Sequence, residues 1–179
     1  ESDLIESELV NSGEANFLAS SKGHEGSAIV AAFLQDSDWL HCHYRDKALM
    51  LARGISNEMF FYSSLAKAES HSSGRQMVSH MSAPELNILS MVGPVGNNAL
   101  QAAGVAKVIK AQNDNPIVYC SVGDGTSQQG EVLEAIAEAK RSELPVLFFI
   151  HNNDLAISTR TQGKTFFSLP NGANPRSFY

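Results

Sequence analysis

The sequence is poor in cysteine, contains no long hydrophobic run and carries no excess of positive charge. Its two cysteines, Cys42 and Cys120, are too few for a disulfide framework, which excludes a small disulfide-stabilised fold. The longest apolar run, from Leu144 to Ile150, is far shorter than the roughly 20 residues that a membrane-spanning helix needs. The formal net charge of −6 argues against nucleic acid or an anionic membrane as a partner.

The composition is that of a folded domain. Hydrophobic residues make up 43% of the 179 residues and charged residues 18%, so the chain can bury a substantial core. We expect a single domain over residues 1–179, incomplete at its C-terminus, with residues 1–21 forming a leading helix and loop. Because the chain starts at Glu1 without a methionine or a signal peptide, we interpret it as part of a longer intracellular protein.

Residues 117–159 contain the pattern of a strand, a helix and a second strand. The β-branched run from Ile117 to Val122 is typical of a strand buried on both faces, and so is the apolar run from Val146 to Ile150. Between them, apolar residues from Val132 to Ala139 recur at the spacing of one buried helix face, with charged residues on the opposite face. This succession predicts a right-handed parallel unit.

Polar residues follow each of these strands at the point where it ends. Gly123, Asp124 and Gly125 come after the first strand, and Asn152 and Asn153 come after the second. Open parallel sheets bind ligands at this edge. Glycine lets backbone amides approach an anion, and carboxylate and amide oxygens are ligands that Mg²⁺ prefers. We therefore predict a diphosphate held through a metal ion, because the charge of Asp124 would otherwise repel it.

The remaining segments complete a predicted α/β fold. We expect a strand from Trp39 to Tyr44, a helix that follows Asp46 and stops at Gly54, and helices over about residues 4–20, 24–34, 57–67 and 98–112. The predicted architecture is a three-layer parallel sheet with helices on both faces. Residues 70–82 lack periodicity and are predicted to form a loop, which at that length is usually functional. Residues 161–179 are predicted to form an ordered loop.

The motif after the first strand resembles that of a known group of enzymes. Gly123-Asp124-Gly125, then the 26 residues from Thr126 to His151, then Asn152-Asn153 is similar to the thiamine-diphosphate motif of transketolase, pyruvate decarboxylase and the 2-oxo acid dehydrogenases. A Gly-Asp-Gly turn alone is common in loops, and the alternative is a plain turn with an Asn-rich loop. The resemblance implies the thiamine-diphosphate-binding fold, with thiamine diphosphate and Mg²⁺ as cofactors. It implies Asp124, Asn153 and the backbone carbonyl of Leu155 as metal ligands, and Asp124, Gly125, Thr126, His151 and Asn153 as cofactor contacts.

Two earlier segments resemble the alpha subunit of the decarboxylating component of 2-oxo acid dehydrogenase complexes, and the likeness covers most of the chain. Tyr44 and Arg45 are similar to a Tyr-Arg pair that such subunits place against the diphosphate, a task that suits a forked, fixed charge. The alternative is that Arg45 pairs with Asp46 on the surface. The turn that contains Gly93 and Val95 is similar to one that contacts the cofactor, and its alternative role is to start a helix.

A third segment resembles the branched-chain 2-oxo acid dehydrogenases. Gly74-Arg75-Gln76-Met77, followed by His80, is similar to that branch, and so is the run from Ala156 to Thr159. The resemblance makes His80 a catalytic residue, although a loop histidine can equally be a surface residue. His24, His41 and His71 are given no role.

The resemblance also indicates where this sequence departs from the family and which partners it needs. His151 stands where relatives often have Arg or Glu, and Leu155 where many have Tyr. The implied activity is oxidative decarboxylation of a 2-oxo acid with acyl transfer to a lipoyl group. The implied partners are a beta subunit or fused second half that supplies a glutamate, and a lipoyl-bearing acyltransferase, in a hetero- or homo-oligomer. The expected compartment is the cytoplasm, or the mitochondrial matrix in a eukaryote.

Two other functions compete with this interpretation. The nearer is another thiamine-diphosphate enzyme half, of pyruvate or acetoin dehydrogenase or of a transketolase. The farther is a non-catalytic nucleotide-binding module of Rossmann type. Against the latter, no Gly-x-Gly-x-x-Gly follows any predicted strand, and Asp124 would repel an anion that no cation accompanies.

Overall fold

The chain forms a parallel β-sheet with helices on both sides, as seen in a computed structural model that describes residues 1–168. The sheet has the order β1-β2-β3, with β1 at Trp39–His41, β2 at Val118–Gly123 and β3 at Val146–His151. The helices are α1 at Ser2–Asn11, α2 at Lys47–Arg53, α3 at Asn57–Ser64, α4 at Asn97–Ala111 and α5 at Gly130–Arg141. A short antiparallel hairpin of β4, Leu155–Ala156, and β5, Thr159–Arg160, follows β3.

The predicted strand, helix and strand are β2, α5 and β3. In the parallel register Val118 lies opposite Val146 and Gly123 opposite His151, so both strands end at the same edge of the sheet. The expectation that β3 is buried on both faces is wrong, because its residues are only partly buried and Leu147 is 44% exposed. Among residues 1–168, β3 is an edge strand that pairs with β2 alone, which leaves its other side uncovered.

The two faces of the sheet carry separate hydrophobic clusters, which confirms the three-layer prediction. Successive side chains of β2 alternate between faces, so Tyr119 and its neighbour Cys120 belong to different clusters. One face packs against α4 and α5, whose alanines allow a close approach. The other face packs against α2, α3 and the 3₁₀ segment Glu25–Phe33. Cys42 and Cys120 are buried free thiols.

Several predicted elements are shorter than the sequence pattern suggested. The leading helix α1 ends at Asn11 because Gly13 adopts a positive φ of 80° and turns the chain. The segment expected to be an α-helix over residues 24–34 is a 3₁₀ helix. Helix α3 ends at Ser64, since Ala66 at φ 50° breaks the helical path. The predicted stop of α2 at Gly54 and the loop over residues 70–82 are confirmed.

Buried charges attach α1 to the rest of the domain. The Lys47 ammonium, with a side chain only 3% exposed, lies 2.7 Å from a Glu6 carboxylate oxygen and 3.1 Å from one of Asp3. Ser64 donates a hydrogen bond of 2.8 Å to the other Glu6 oxygen. This network connects α1, α2 and α3, and neither Glu6 nor Lys47 was recognised as a buried residue from the sequence.

Within residues 1–168 no helix has both the length and the apolar character needed to cross a membrane. The predicted loop over residues 161–179 extends past this range, and its part from 169 to 179 lies outside the described residues.

Candidate functional site

A cavity of about 460 Å³ opens at the carboxyl ends of β2 and β3, where the polar motif was predicted to bind a ligand. Its walls come from the end of the sheet, the turn between β1 and α2, the turn before α4 and the β4–β5 hairpin. Nine of the predicted site residues line it: Tyr44, Arg45, Val95, Asp124, Gly125, Thr126, His151, Asn153 and Leu155. The sequence therefore located the cavity, because parallel strands bring their carboxyl-terminal loops to one edge.

Asp124 lies at the end of β2 with only 1% of its surface exposed. Its backbone N–H donates to the His151 carbonyl at 3.0 Å, and a side-chain oxygen accepts from the Thr161 hydroxyl. Within residues 1–168 no lysine, arginine or histidine forms an ion pair with this carboxylate. A buried carboxylate is costly unless a cation accompanies it. Asp124 therefore suits a bound metal ion.

The two other predicted metal ligands, Asn153 and Leu155, line the same cavity and follow β3 in the chain. The Asn153 side-chain oxygen accepts from the Leu155 backbone N–H at 3.1 Å, which shapes the turn into the hairpin. Residues 1–168 contain no group of three His, Cys, Asp or Glu side chains that could hold a metal. The donor set available is instead one carboxylate, one amide oxygen and one backbone carbonyl. Oxygen ligands with coordination positions left for phosphate and water are what Mg²⁺ requires.

Gly125 allows the hairpin to pack directly on the motif after β2. A Cβ atom built on Gly125 would overlap the Cβ atom of Ala156, which lies in β4. The residue must therefore be glycine for the hairpin to cover this side of the cavity.

We expect Gly125→Ala to displace the hairpin and to weaken binding of the ligand of this cavity by about tenfold, while the fold is retained. The matched control is Gly130→Ala at the start of α5, where an added Cβ meets no atom within 4 Å. Calorimetric titration of the two variants with thiamine diphosphate and Mg²⁺, the cofactors that the sequence resemblance implies, checks the expectation. Equal affinities for both variants would show that the contact with Ala156 does not shape the cavity.

An aromatic and cationic wall lies beside the motif. The rings of His43 and Tyr44 are 3.9 Å apart between centroids, and the Arg45 guanidinium lies 5.0 Å from the Tyr44 ring. Arg45 also donates to the Ser20 carbonyl, which holds the turn against the segment before the 3₁₀ helix. Burial is the main cause that lowers the pKa of His43 to about 4, so this ring is neutral at physiological pH.

The alternative role for Arg45, a surface pair with Asp46, is wrong. Asp46 is completely buried and lies 2.8 Å from the Nε2 atom of His151. Arg45 is instead half-buried at the cavity, with a guanidinium that no carboxylate pairs within residues 1–168. A fixed positive charge at this position suits an anionic ligand.

Two predicted residues do not line the cavity. His80 is 6% exposed, its Nδ1 atom lies 2.9 Å from the Val78 carbonyl, and its ring stacks on Tyr44 with centroids 6.4 Å apart. His80 thus lies behind Tyr44 and is buried, so the alternative of a surface histidine is wrong. Gly93 lies in the exposed turn before α4, next to the Met77 sulfur.

Other lining residues were not among the predicted site residues: Lys22, His24, His43, Gln129, Ala156 and Ile157. His24 was given no role, yet its Nδ1 atom lies 3.5 Å from that of His151. Lys22 and His24 precede the 3₁₀ helix and do not follow any strand in the sequence. The polar residues around Gly23 are the only local feature that could have indicated a site here. Their position depends on contacts that no local pattern encodes.

The fold and the cavity define an α/β protein with a candidate ligand site at the carboxyl ends of parallel strands. Comparison with known sequences specifies the family. The family described as Dehydrogenase E1 component matches residues 2–168, so the chain belongs to this family. E1 dehydrogenases depend on thiamine diphosphate, and their alpha subunits work with beta subunits in complexes.

Curated relatives are similar to the chain over most of its length. It is 34% identical over 153 residues to the mitochondrial 2-oxoisovalerate dehydrogenase subunit alpha of Caenorhabditis elegans. The matched region covers 83% of this chain and 35% of that protein. For the subunit of Bos taurus the identity is 31% over 160 residues, 89% of this chain and 35% of that protein. For the subunit of Bacillus subtilis the identity is 33% over 153 residues, which are 84% of this chain and 46% of that protein. The chain thus spans less than half the length of these relatives, and the resemblance to the branched-chain alpha subunits is confirmed.

Proposed function

We propose that the chain is the cofactor-binding part of an alpha subunit that decarboxylates a branched-chain 2-oxo acid with thiamine diphosphate and Mg²⁺. The observation that carries the proposal is the buried carboxylate of Asp124, which faces a cavity at the sheet edge and has no cationic partner within residues 1–168. A metal ion that bridges Asp124 to a diphosphate would satisfy both charges.

The residues around the cavity fit that cofactor. Asp124, the Asn153 amide oxygen and the Leu155 carbonyl would hold Mg²⁺, and Arg45, Gly125, Thr126 and His151 would contact the diphosphate. Tyr44, Val95 and the turn at Gly93 would support the rest of the molecule. When bound, thiamine diphosphate supplies a nucleophilic carbon and an electron sink for the loss of carbon dioxide.

The chain itself contributes binding, orientation and exclusion of water. Arg45 offers a permanent charge whose direction is set by its contacts with Tyr44 and the Ser20 carbonyl. His43 is neutral and buried, so it adds a ring to the wall without adding charge. His80 remains a proposed catalytic residue, and because it lies behind Tyr44, this role requires that the loop over residues 70–82 rearranges when the substrate binds.

The rest of the active site would come from partner chains. We propose that a beta subunit, or a fused second half, supplies the glutamate that contacts the aminopyrimidine, and that a lipoyl-bearing acyltransferase accepts the acyl group. The support is that alpha subunits of E1 dehydrogenases work with beta subunits in complexes. The chain alone is therefore not expected to turn over.

The substrate is proposed to be 2-oxoisovalerate or a related branched acid. The support is the run from Gly74 to Met77 and the names of the relatives, which are 2-oxoisovalerate dehydrogenase alpha subunits. With its second half present, we expect the enzyme to prefer 2-oxoisovalerate over pyruvate by at least about tenfold in kcat/KM, because a pocket shaped for the extra methyl groups binds the smaller acid less well.

Decarboxylation assays with both acids at matched cofactor saturation measure this preference. A preference for pyruvate would overturn the branched-chain assignment and favour a pyruvate dehydrogenase half, with the cofactor site unchanged. A reaction with ketose phosphates instead of either acid would favour a transketolase.

A further inference from the structure

Asp46 lies beneath the cavity and connects three segments of the chain that carry residues lining the cavity. The residue is completely buried. One carboxylate oxygen accepts from the backbone N–H of His43 at 2.8 Å and from the Ser121 hydroxyl of β2. The other oxygen lies 2.8 Å from Nε2 of His151, at the end of β3.

These contacts determine how the His151 ring faces the cavity. A carboxylate only accepts hydrogen bonds, so Nε2 of His151 carries the proton that lies between them. The nitrogen left for the cavity is Nδ1, which lies 3.5 Å from Nδ1 of His24. Phe149 packs edge-on against the His151 ring, with centroids 4.9 Å apart at 74°. The side chain of His151 is only 8% exposed, so its orientation is held from several sides.

The same carboxylate also holds the turn that carries Tyr44 and Arg45. The His43 backbone N–H donates to both Asp46 and Ser121, and the Asp46 backbone N–H returns a hydrogen bond of 2.9 Å to the His43 carbonyl. The turn between β1 and α2 is thereby attached to β2. A shift in Asp46 would move the Arg45 guanidinium and the His151 ring relative to Asp124.

We propose that Asp46 is a positioning residue of the cofactor site, which holds the Tyr44–Arg45 turn and the His151 ring in place around the cavity. This inference rests on the proposed function of the cavity. Asp46 acts through these neighbours, because it is buried beneath them and does not line the cavity. Partners that orient metal-ligating side chains commonly contribute about 10- to 100-fold in affinity, and we expect an effect at the lower end of that range for a partner that orients cofactor-binding side chains.

The variant Asp46→Asn separates positioning from simple electrostatics. Its amide keeps an oxygen for His43 and Ser121 but presents N–H groups to Nε2 of His151, so Nε2 must become the acceptor and the ring proton moves to Nδ1, the nitrogen that faces the cavity. Loss of a negative charge near a diphosphate would by itself strengthen binding. Positioning predicts the opposite result: about tenfold weaker binding of thiamine diphosphate with Mg²⁺.

The matched control is Asp38→Asn, which changes another buried carboxylate that accepts from two backbone N–H groups, at the opposite end of the sheet. Calorimetric titration of each variant, assembled with its second half, gives the affinity, and circular dichroism checks the fold. Asp38→Asn should leave the affinity unchanged. If Asp46→Asn does not fold, Ser121→Ala, which removes one donor to Asp46, should weaken binding about threefold. Unchanged or tighter binding in Asp46→Asn, or equal loss in both aspartate variants, overturns the proposal.

A spectroscopic readout on the cofactor-free protein makes the outcome independent of the proposed function. With ¹⁵N-labelled histidine, the wild-type His151 ring should carry its proton on Nε2, and Asp46→Asn should move that proton to Nδ1. If the wild type binds no thiamine diphosphate, the proposed function fails, yet the ring resonances still test the link. Resonances of His151 that are identical in wild type and variant overturn the positioning role.

Discussion

Replacing Asp124 by asparagine is expected to weaken Mg²⁺-dependent binding of thiamine diphosphate at least tenfold, or about 1.4 kcal/mol. The side chain is almost completely buried, and within residues 1–168 no ion pair compensates its charge. Asparagine has nearly the same shape and keeps an oxygen for the Thr161 hydroxyl, so the fold should survive. What is lost is the charge that attracts a divalent cation. Calorimetric titration at limiting Mg²⁺ measures the effect.

The control for this experiment is Asp154→Asn. Asp154 is an acidic residue of the same region that does not line the cavity, and its positive φ of 58° is a conformation that asparagine tolerates well. Its replacement removes a charge next to Asn153 and Leu155 in the sequence but removes none of the proposed ligand atoms. Equal affinity in wild type and Asp124→Asn at limiting Mg²⁺ would exclude Asp124 as a metal ligand.

The replacement Lys47→Met should destabilise the folded protein by about 3–5 kcal/mol. Lys47 is buried with Glu6, and its removal leaves the Glu6 carboxylate without a cation in a place that water does not reach. The double change Lys47→Met with Glu6→Leu should recover much of the loss, since the buried Glu6 charge is then removed as well and only Asp3, whose side chain is 20% exposed, loses its cation. The free energy of unfolding in urea measures both effects.

An exposed ion pair serves as the control. Lys107 forms a pair with Glu138, but the lysine side chain is 68% exposed, so Lys107→Met should cost less than about 1 kcal/mol. If Lys47→Met costs no more than Lys107→Met, the buried network does not secure α1 to the domain.

The central part of the fold was predictable because its signals are local. The β-branched run of β2 and the helical spacing of α5 each encode their own structure, and a parallel connection follows from their order. The position of Asp124 after a strand then indicates the ligand edge. The cavity residues at the ends of β2 and β3 were therefore found from the sequence.

The features that sequence reasoning missed depend on contacts between distant segments. From the sequence, Asp46 was considered only as the surface partner of Arg45 in the alternative interpretation, yet it meets Ser121, 75 positions away, and His151, 105 positions away. Burial of Lys47 likewise requires that α1 packs across α2 and α3. The exposure of β3 was not foreseen, because an apolar run does not indicate whether a strand is paired on one side or on both. Within residues 1–168, β3 pairs with β2 alone.

His24 shows the same limit at the cavity itself. A lone histidine before a helix has no local feature that separates a site residue from a surface residue. Its approach to His151 arises only when the 3₁₀ segment packs on α2 and brings residues 22–24 to the cavity.

The central claim is that the cavity binds thiamine diphosphate through a divalent metal, and titration calorimetry of the wild-type protein with its second half tests it most directly. Thiamine diphosphate, NAD and ATP are each titrated with and without Mg²⁺. We expect saturable binding of thiamine diphosphate only when Mg²⁺ is present, because Asp124 repels a diphosphate that no cation accompanies. Binding of NAD or ATP in its place, or equal affinity for thiamine diphosphate in the absence of metal, would contradict the claim.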